Sequence, residues 1–175
     1  MRTPLVTELK HDSELFDAER FDALAQTEGS LTMAFKRTME QADALLNERF
    51  LRMENIKLII RRRAWVMDKL LQKLWQQFDC SRSPDIALLA VGGYGRAELH
   101  PHSDIDLMIL LRQDDSGASY KTDLETFLTQ MWDIGLEVGH SVRSIKQSKE
   151  LAAADITIAT NLMESRTIWG DPDLG

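Results

Sequence analysis

Apolar residues follow a helical period over the first half of the chain and a strand-like rhythm over much of the second. From Ser30 onward, Leu31, Phe35, Met39, Ala42, Leu46, Phe50 and Met53 recur at helical spacing, and Ser30 is placed to cap the helix they predict. A second amphipathic helix is predicted over about residues 55–78, carried by Ile56, Ile59, Ile60, Val66, Met67, Leu70, Leu71, Leu74 and Trp75. Two such helices with a short connection pack as an antiparallel hairpin. Runs of aliphatic residues then predict strands over 86–91 and 105–111, separated by the Gly92-Gly93 turn and a polar stretch. A helix over 120–134 stops at Gly135, a third strand covers 136–143, and a helix covers about 145–154. A fourth strand is predicted over 162–169, closed by Gly170-Asp171-Pro172.

Residues 1–30 lack a sustained period and carry Pro4, Gly29 and scattered acids. They are read as an acidic, partly disordered leader with at most a short helical turn over 13–24. The fold class expected is α+β, a small mixed sheet flanked by helices. Its parts are the leader, a helical hairpin over 31–80 and a sheet-bearing core over 81–175.

Composition narrows the function. With 43% hydrophobic and 28% charged residues, the chain is an ordinary soluble protein, and no apolar run reaches the length of a membrane span. A net charge of −7 argues against a broad nucleic-acid footprint, which needs clustered Lys and Arg to displace counterions. The single cysteine, Cys80, cannot close an internal disulfide, which suits a reducing cytoplasm, and no partner histidine is suggested nearby. The His11-Asp12 dipeptide is read as surface, and Arg61-Arg62-Arg63 as a solvated helical face. His100-Pro101-His102 lacks further zinc ligands at the usual spacing.

The chemistry gathers in AVGGYGRAELHPHSDIDLMILL, residues 90–111. Strand alternation puts Asp104 and Asp106 on one face, with Ile105 on the other. Two neighbouring carboxylates repel unless a cation lies between them. An all-oxygen ligand set favours Mg²⁺ or Mn²⁺. Backbone N–H groups at Gly92 and Gly93 can approach an anion closely. Arg96 can engage phosphate oxygens in a bidentate manner, and Ser103 can donate to a phosphate or cap the turn before Asp104. Metal acids beside a phosphate cradle are the equipment of phosphoryl or nucleotidyl transfer.

The spacing of Gly92-Gly93 and Asp104-Ile105-Asp106-Leu107 resembles the nucleotidyltransferase superfamily that includes DNA polymerase β. More narrowly, GGYGRAELHPHSDIDLMIL resembles the catalytic domain of bacterial PII uridylyltransferase/uridylyl-removing enzymes, through Arg96, Glu98, Leu99, Pro101 and Ser103 as well as the glycines and acids. The resemblance covers about residues 31–175, and its specific part is 91–110. Ala97 departs from the family form, where glycine is common.

The resemblance implies a polymerase β-like fold and metal-dependent transfer of UMP from UTP to a tyrosine hydroxyl of the PII nitrogen-regulatory protein, releasing pyrophosphate. It also implies a cytoplasmic enzyme acting on neither nucleic acid nor membrane, and a longer protein whose further HD and ACT domains lie outside this chain. The expected metal ligands are Asp104 and Asp106, and the expected nucleotide contacts are Gly92, Gly93, Arg96 and Ser103. A third carboxylate is expected at Glu164, in an acid-x-Arg pattern with Arg166, with Glu137 in reserve. It would bind a second metal or accept the nucleophile's proton. Two competing readings remain: a nucleotidyltransferase of the same fold with another acceptor, and a non-catalytic nucleotide-sensing module. Metal-dependent pyrophosphate release separates enzyme from module.

Overall fold

In a computed structural model of the chain, the described residues are 12–171, 173 and 174. Pro4, His11 and Pro172 lie outside them. The elements in order are α1 (Ala18–Glu28), α2 (Leu31–Leu51), α3 (Ile56–Trp75), β1 (Ile86–Ala90), a single helical turn α4 (Gly92–Gly95), β2 (Ile105–Leu111), α5 (Lys121–Ile134), β3 (Val138–Ser144), α6 (Ile145–Ala154), α7 (Ile156–Met163) and β4 (Arg166–Trp169).

The hairpin forms for the expected reasons. Ser30 Oγ accepts from Met33 N–H at 3.3 Å to start α2, and Asn55 Oδ1 accepts from Lys57 N–H at 2.9 Å to start α3. Met53 falls outside the helical pattern: it sits in the connection at φ 65° and is 90% exposed. Along α3 the apolar stripe from Ile59 to Trp75 is buried.

Two readings of the first half need correcting. Residues 12–28 are no loose leader: α1 starts at an Asp17 cap and buries Phe21, while Leu15 is 3% exposed. Asp12 is no free surface residue either. Its carboxylate takes Arg49 Nη1 at 2.5 Å and lies 3.4 Å from Arg62 Nε. Burial works against that charge, but the Arg49 hydrogen bond and both guanidinium charges outweigh it and hold the carboxyl below its ordinary pKa. Arg62 also pairs with Glu54, and Arg63 forks onto Asp43, so these arginines brace the hairpin instead of lying on a solvated face.

The sheet runs β3-β2-β1-β4. β1 is antiparallel to both neighbours, whereas β2 and β3 are parallel, joined by the α5 crossover. The sheet is therefore mixed, as expected. Ile105, Leu107, Ile109 and Leu111 alternate toward the main core with Trp75 and Phe127, whose rings meet edge to face at 4.7 Å. Cys80 is fully buried beside α5; burial, with the Asp123 carboxylate, pushes its thiol up to about 12, so it is chemically quiet.

The second half carries the other correction. The strand expected over 162–169 begins at Arg166, because α7 occupies 156–163. Its Ile156-Thr157-Ile158 run favours a strand locally, but Asp155 Oδ1 accepts from Thr157 N–H at 2.7 Å and starts a helix straight after α6. Among the described residues no helix is long and apolar enough to cross a membrane.

Candidate active site

The glycine turn and the acid strand meet at one end of the sheet. β1 ends at Ala90, Val91 N–H donates to Asp106 C=O at 3.0 Å, and the chain turns into α4. Gly92 adopts φ 59°, which favours glycine, and a Cβ there would lie 3.3 Å from Asp106 Oδ2. The first bond of the turn, from Gly95 N–H to Val91 C=O at 2.9 Å, leaves the Gly92 and Gly93 N–H groups ahead of it, at the helix start.

Asp106 leans across the strands. Its other oxygen, Oδ1, lies over Gly139 of β3, where a Cβ would overlap it. The carboxylate thus occupies a slot between two glycines, from β1's turn on one side and β3 on the other. Burial lifts its pKa above the ordinary carboxylate value, and the nearby Asp104 charge lifts it further. Two neighbouring acids, one of them in a cradle made by missing side chains, are a donor set that fits a hard divalent cation.

Other expected site residues are placed less simply. Arg96 lies beside Gly93, whose Cβ would be 3.7 Å from Arg96 Nη2, and is held by Glu98 at 3.2 Å and by Glu164 at 2.6 Å. Ser103 is exposed and its hydroxyl donates to His100 C=O at 2.9 Å, so in this structure it closes the turn before Asp104. Glu164 is not on a strand: it caps the C-terminus of α7 and is engaged with Arg96. Among the described residues no three His, Cys, Asp or Glu side chains form a group able to hold a metal, so neither Glu164 nor Glu137 is assembled with Asp104 and Asp106 as a trio. Glu137 stands differently. Ile105 pairs with Val138 and donates to Glu137 C=O at 2.9 Å, which puts Glu137 in register beside Asp104. Since Leu136 and Val138 pack on the main core, alternation turns Glu137 to the face of the two aspartates.

Sequence reasoning missed the network that holds the turn. The Tyr94 ring is fully buried behind the glycines, and its hydroxyl donates to Asp68 Oδ1 of α3 at 2.7 Å. Arg166 of β4 forks onto the same carboxylate at 2.5 and 3.0 Å, donates to Tyr94 C=O at 3.2 Å and stacks 5.5 Å from the ring centre. Burial, reinforced by the Asp68 charge, keeps the phenol protonated well above its usual range. The only sequence signal was Asp68 itself, an acid between Met67 and the buried Leu70 and Leu71. Gly95 completes the anchor, because a Cβ there would collide with Glu164 C=O and touch Ala90 C=O at 3.0 Å.

The sequence is also similar to known proteins. The chain is 52% identical over 163 residues to the bifunctional uridylyltransferase/uridylyl-removing enzyme of Pseudomonas syringae pv. syringae (strain B728a), covering 93% of this chain and 18% of that protein. It is 52% identical over 159 residues to the protein of the same name from Pseudomonas putida (strain W619) and 53% identical over 159 residues to that of Pseudomonas fluorescens (strain SBW25), again covering 91% of this chain and 18% of each relative. The chain therefore spans about a fifth of the length of these relatives. The nucleotidyltransferase domain family matches residues 67–159, more than half of the 175-residue chain. That match takes in the glycine turn, both aspartates and the whole of β3, and the chain belongs to the nucleotidyltransferase domain family.

Proposed function

We propose that this chain carries the transferase site of a PII uridylyltransferase, moving UMP from UTP to a tyrosine hydroxyl of a PII-type regulatory protein. The observation that supports it most is the Asp106 carboxylate, slotted between Gly92 and Gly139 with Asp104 beside it, directly against the start of the glycine turn. The names of the relatives supply the uridylyl group.

Asp104 and Asp106 would hold Mg²⁺ or Mn²⁺. When bound, such an ion neutralises triphosphate charge and polarises the phosphoryl oxygens. The chain's own groups do the rest. The Gly92 and Gly93 N–H groups donate to phosphate oxygens, and Arg96, already beside Gly93, adds a fixed cation. Glu164 keeps the Arg96 guanidinium in place, and Ser103 shapes the turn that delivers Asp104. Glu137, in register with Asp104 and on the face of the two aspartates, would serve as the base that receives the hydroxyl proton and not as a third metal ligand. The tyrosine oxygen forms its bond to the α-phosphorus as the bond to pyrophosphate breaks. Catalysis rests on positioning and charge neutralisation. A cytoplasmic setting follows from this reaction, since UTP and PII are cytoplasmic.

The test is transfer of labelled UMP from UTP to purified PII with Mg²⁺, comparing this chain with its Asp104→Asn/Asp106→Asn variant. Transfer by the wild type and loss in the variant is the expected result. Equal transfer by both proteins would sink the assignment.

A further inference from the structure

β3 is an edge strand with an undefended outer side. The register with β2, together with the Ile105 N–H bond to Glu137 C=O, fixes the alternation: Gly139 and Ser141 direct their N–H and C=O groups to β2, and Val138, His140 and Val142 direct theirs outward. Among the described residues no backbone group meets those outward positions. The strand is seven residues long, VGHSVRS, without proline or bulge, and only Arg143 near its end carries charge. Edges of this length are normally blunted by proline, lysine or a covering element.

The position of this edge matters more than its openness. Gly139 is the one β3 residue beside Asp106, and it has no side chain to intervene. We propose that the hydroxyl-bearing segment of the acceptor protein docks as an added strand along β3, placing its nucleophile opposite Gly139 and over the Asp106 carboxylate. This rests on the transferase reading above.

The dimensions suit the reaction. A strand added to β3 lies two strand spacings from β2, about 9.6 Å. The Asp106 carboxylate already reaches over Gly139, so about one strand spacing separates it from the added strand. A phosphate held at the aspartates lies within reach of a side chain from that strand, because the strand between them contributes nothing. The residues on either side of the nucleophile point to the opposite face of the sheet, where Trp132 (54% exposed) stacks on His140 at 5.8 Å and Val142 is 41% exposed. That surface suits an apolar neighbour of the tyrosine. Backbone bonds then give affinity, the Trp132 face gives selectivity, and Gly139 gives reach.

Proline at an outward position removes an outward N–H and leaves the ladder to β2 intact. His140→Pro and, independently, Val142→Pro are therefore expected to raise the KM for PII about tenfold while leaving UTP affinity and the melting temperature nearly unchanged. Unmodified PII is also expected to slow hydrogen exchange at the amides of Val138, His140 and Val142, which are open in the free chain, and this readout does not depend on turnover. Wild-type transfer with an unaltered PII KM in both proline variants would overturn the docking and leave the transferase reading standing. PII binding with protection of those amides but without transfer would do the reverse. Exchange at those amides unchanged by PII, or slowed by raised protein concentration alone, would also overturn the proposal, the latter because a second copy would then be the occupant.

Discussion

The two faces of the sheet are packed unequally. One is sealed: Ile86, Leu88, Ile105, Leu107 and Ile109 are each at most 4% exposed and merge with the helical hairpin and α5 in a single core. The other face is buried by a small cluster of Ala87, Leu89, Met108, Leu110 and Leu174, and α7 beside it buries no residue at all. The site acids are on this thinner face. β2 and the residue before it, alternating between the two faces, thus carry stability on the odd residues and the proposed chemistry on the even ones, at Asp104 and Asp106.

The sharpest way to break that comparison is to substitute across it. Leu88→Ala, on the sealed face, is expected to cost about 2–5 kcal/mol of stability, read by chemical denaturation. Asp106→Asn, on the other face, is expected to lower transfer about 10²–10³-fold, the scale set by losing one preorganised electrostatic partner. Its stability should not fall. Because burial and Asp104 raise the native pKa of Asp106, the native state binds more protons than the unfolded chain above the ordinary carboxylate value, and stability declines as pH rises through that window. Removing the titrating acid removes that decline. A destabilised Asp106→Asn protein would show instead that the carboxylate helps hold the strands together.

Two glycines of one turn make a finer version of the same contrast. A Cβ at Gly95 would run into the backbone at Glu164 and Ala90, whereas one at Gly93 would meet only Arg96 and Glu98 at ordinary contact distance. Gly95→Ala is expected to destabilise by about 1–3 kcal/mol through overpacking. Gly93→Ala is expected to melt near the wild-type temperature yet bind UTP more weakly, because its methyl group occupies the approach to the backbone N–H groups. Isothermal titration with UTP and thermal melts of both variants separate the two roles.

Much of this was legible in the sequence. The capped hairpin, both central strands, the Gly135 stop and the Asp-Ile-Asp motif follow from periodicity and local chemistry, because each is decided by residues close together in the chain. What escaped was decided at long range. Arg166 reads as the partner of Glu164 in a local acid-x-Arg pattern, but its guanidinium belongs to Asp68, 98 positions away, and Glu164 belongs to Arg96, 68 positions away. The helix α7 escaped because its β-branched start is overruled by the Asp155 cap. Asp12 escaped because its value depends on Arg49 and Arg62, which only the folded hairpin brings to it.

Asp12 allows a test by pH. With a native pKa held below the ordinary value of 3.8, it adds stability that is fully present above that value and is lost as pH falls through the native one. Asp12→Asn is expected to cost about 1 kcal/mol at neutral pH and to flatten the acid limb of the stability curve. An unchanged acid limb would mean that Glu14 alone satisfies Arg49.

The smallest expected effect bears on Ala97, a non-glycine residue in a left-handed conformation. Ala97 follows the helical turn at φ 58°, its N–H donating to Tyr94 C=O at 3.0 Å. A left-handed conformation costs an L-residue about 1–2 kcal/mol, and glycine escapes that cost but gives back part of the gain as unfolded-state entropy. Ala97→Gly is therefore expected to stabilise the chain by about 0.5 kcal/mol, a rise of about 1–2 °C in Tm. The site should respond little, since Ala97 leads into Glu98 and the Arg96 pair but touches neither aspartate's slot between Gly92 and Gly139. A gain in Tm with unchanged transfer would place Ala97 with the scaffold side of the comparison. A gain accompanied by weaker UTP binding would show that the strained alanine stiffens the turn for Arg96, and that the thin face extends its demands one residue further along the chain than the packing alone reveals.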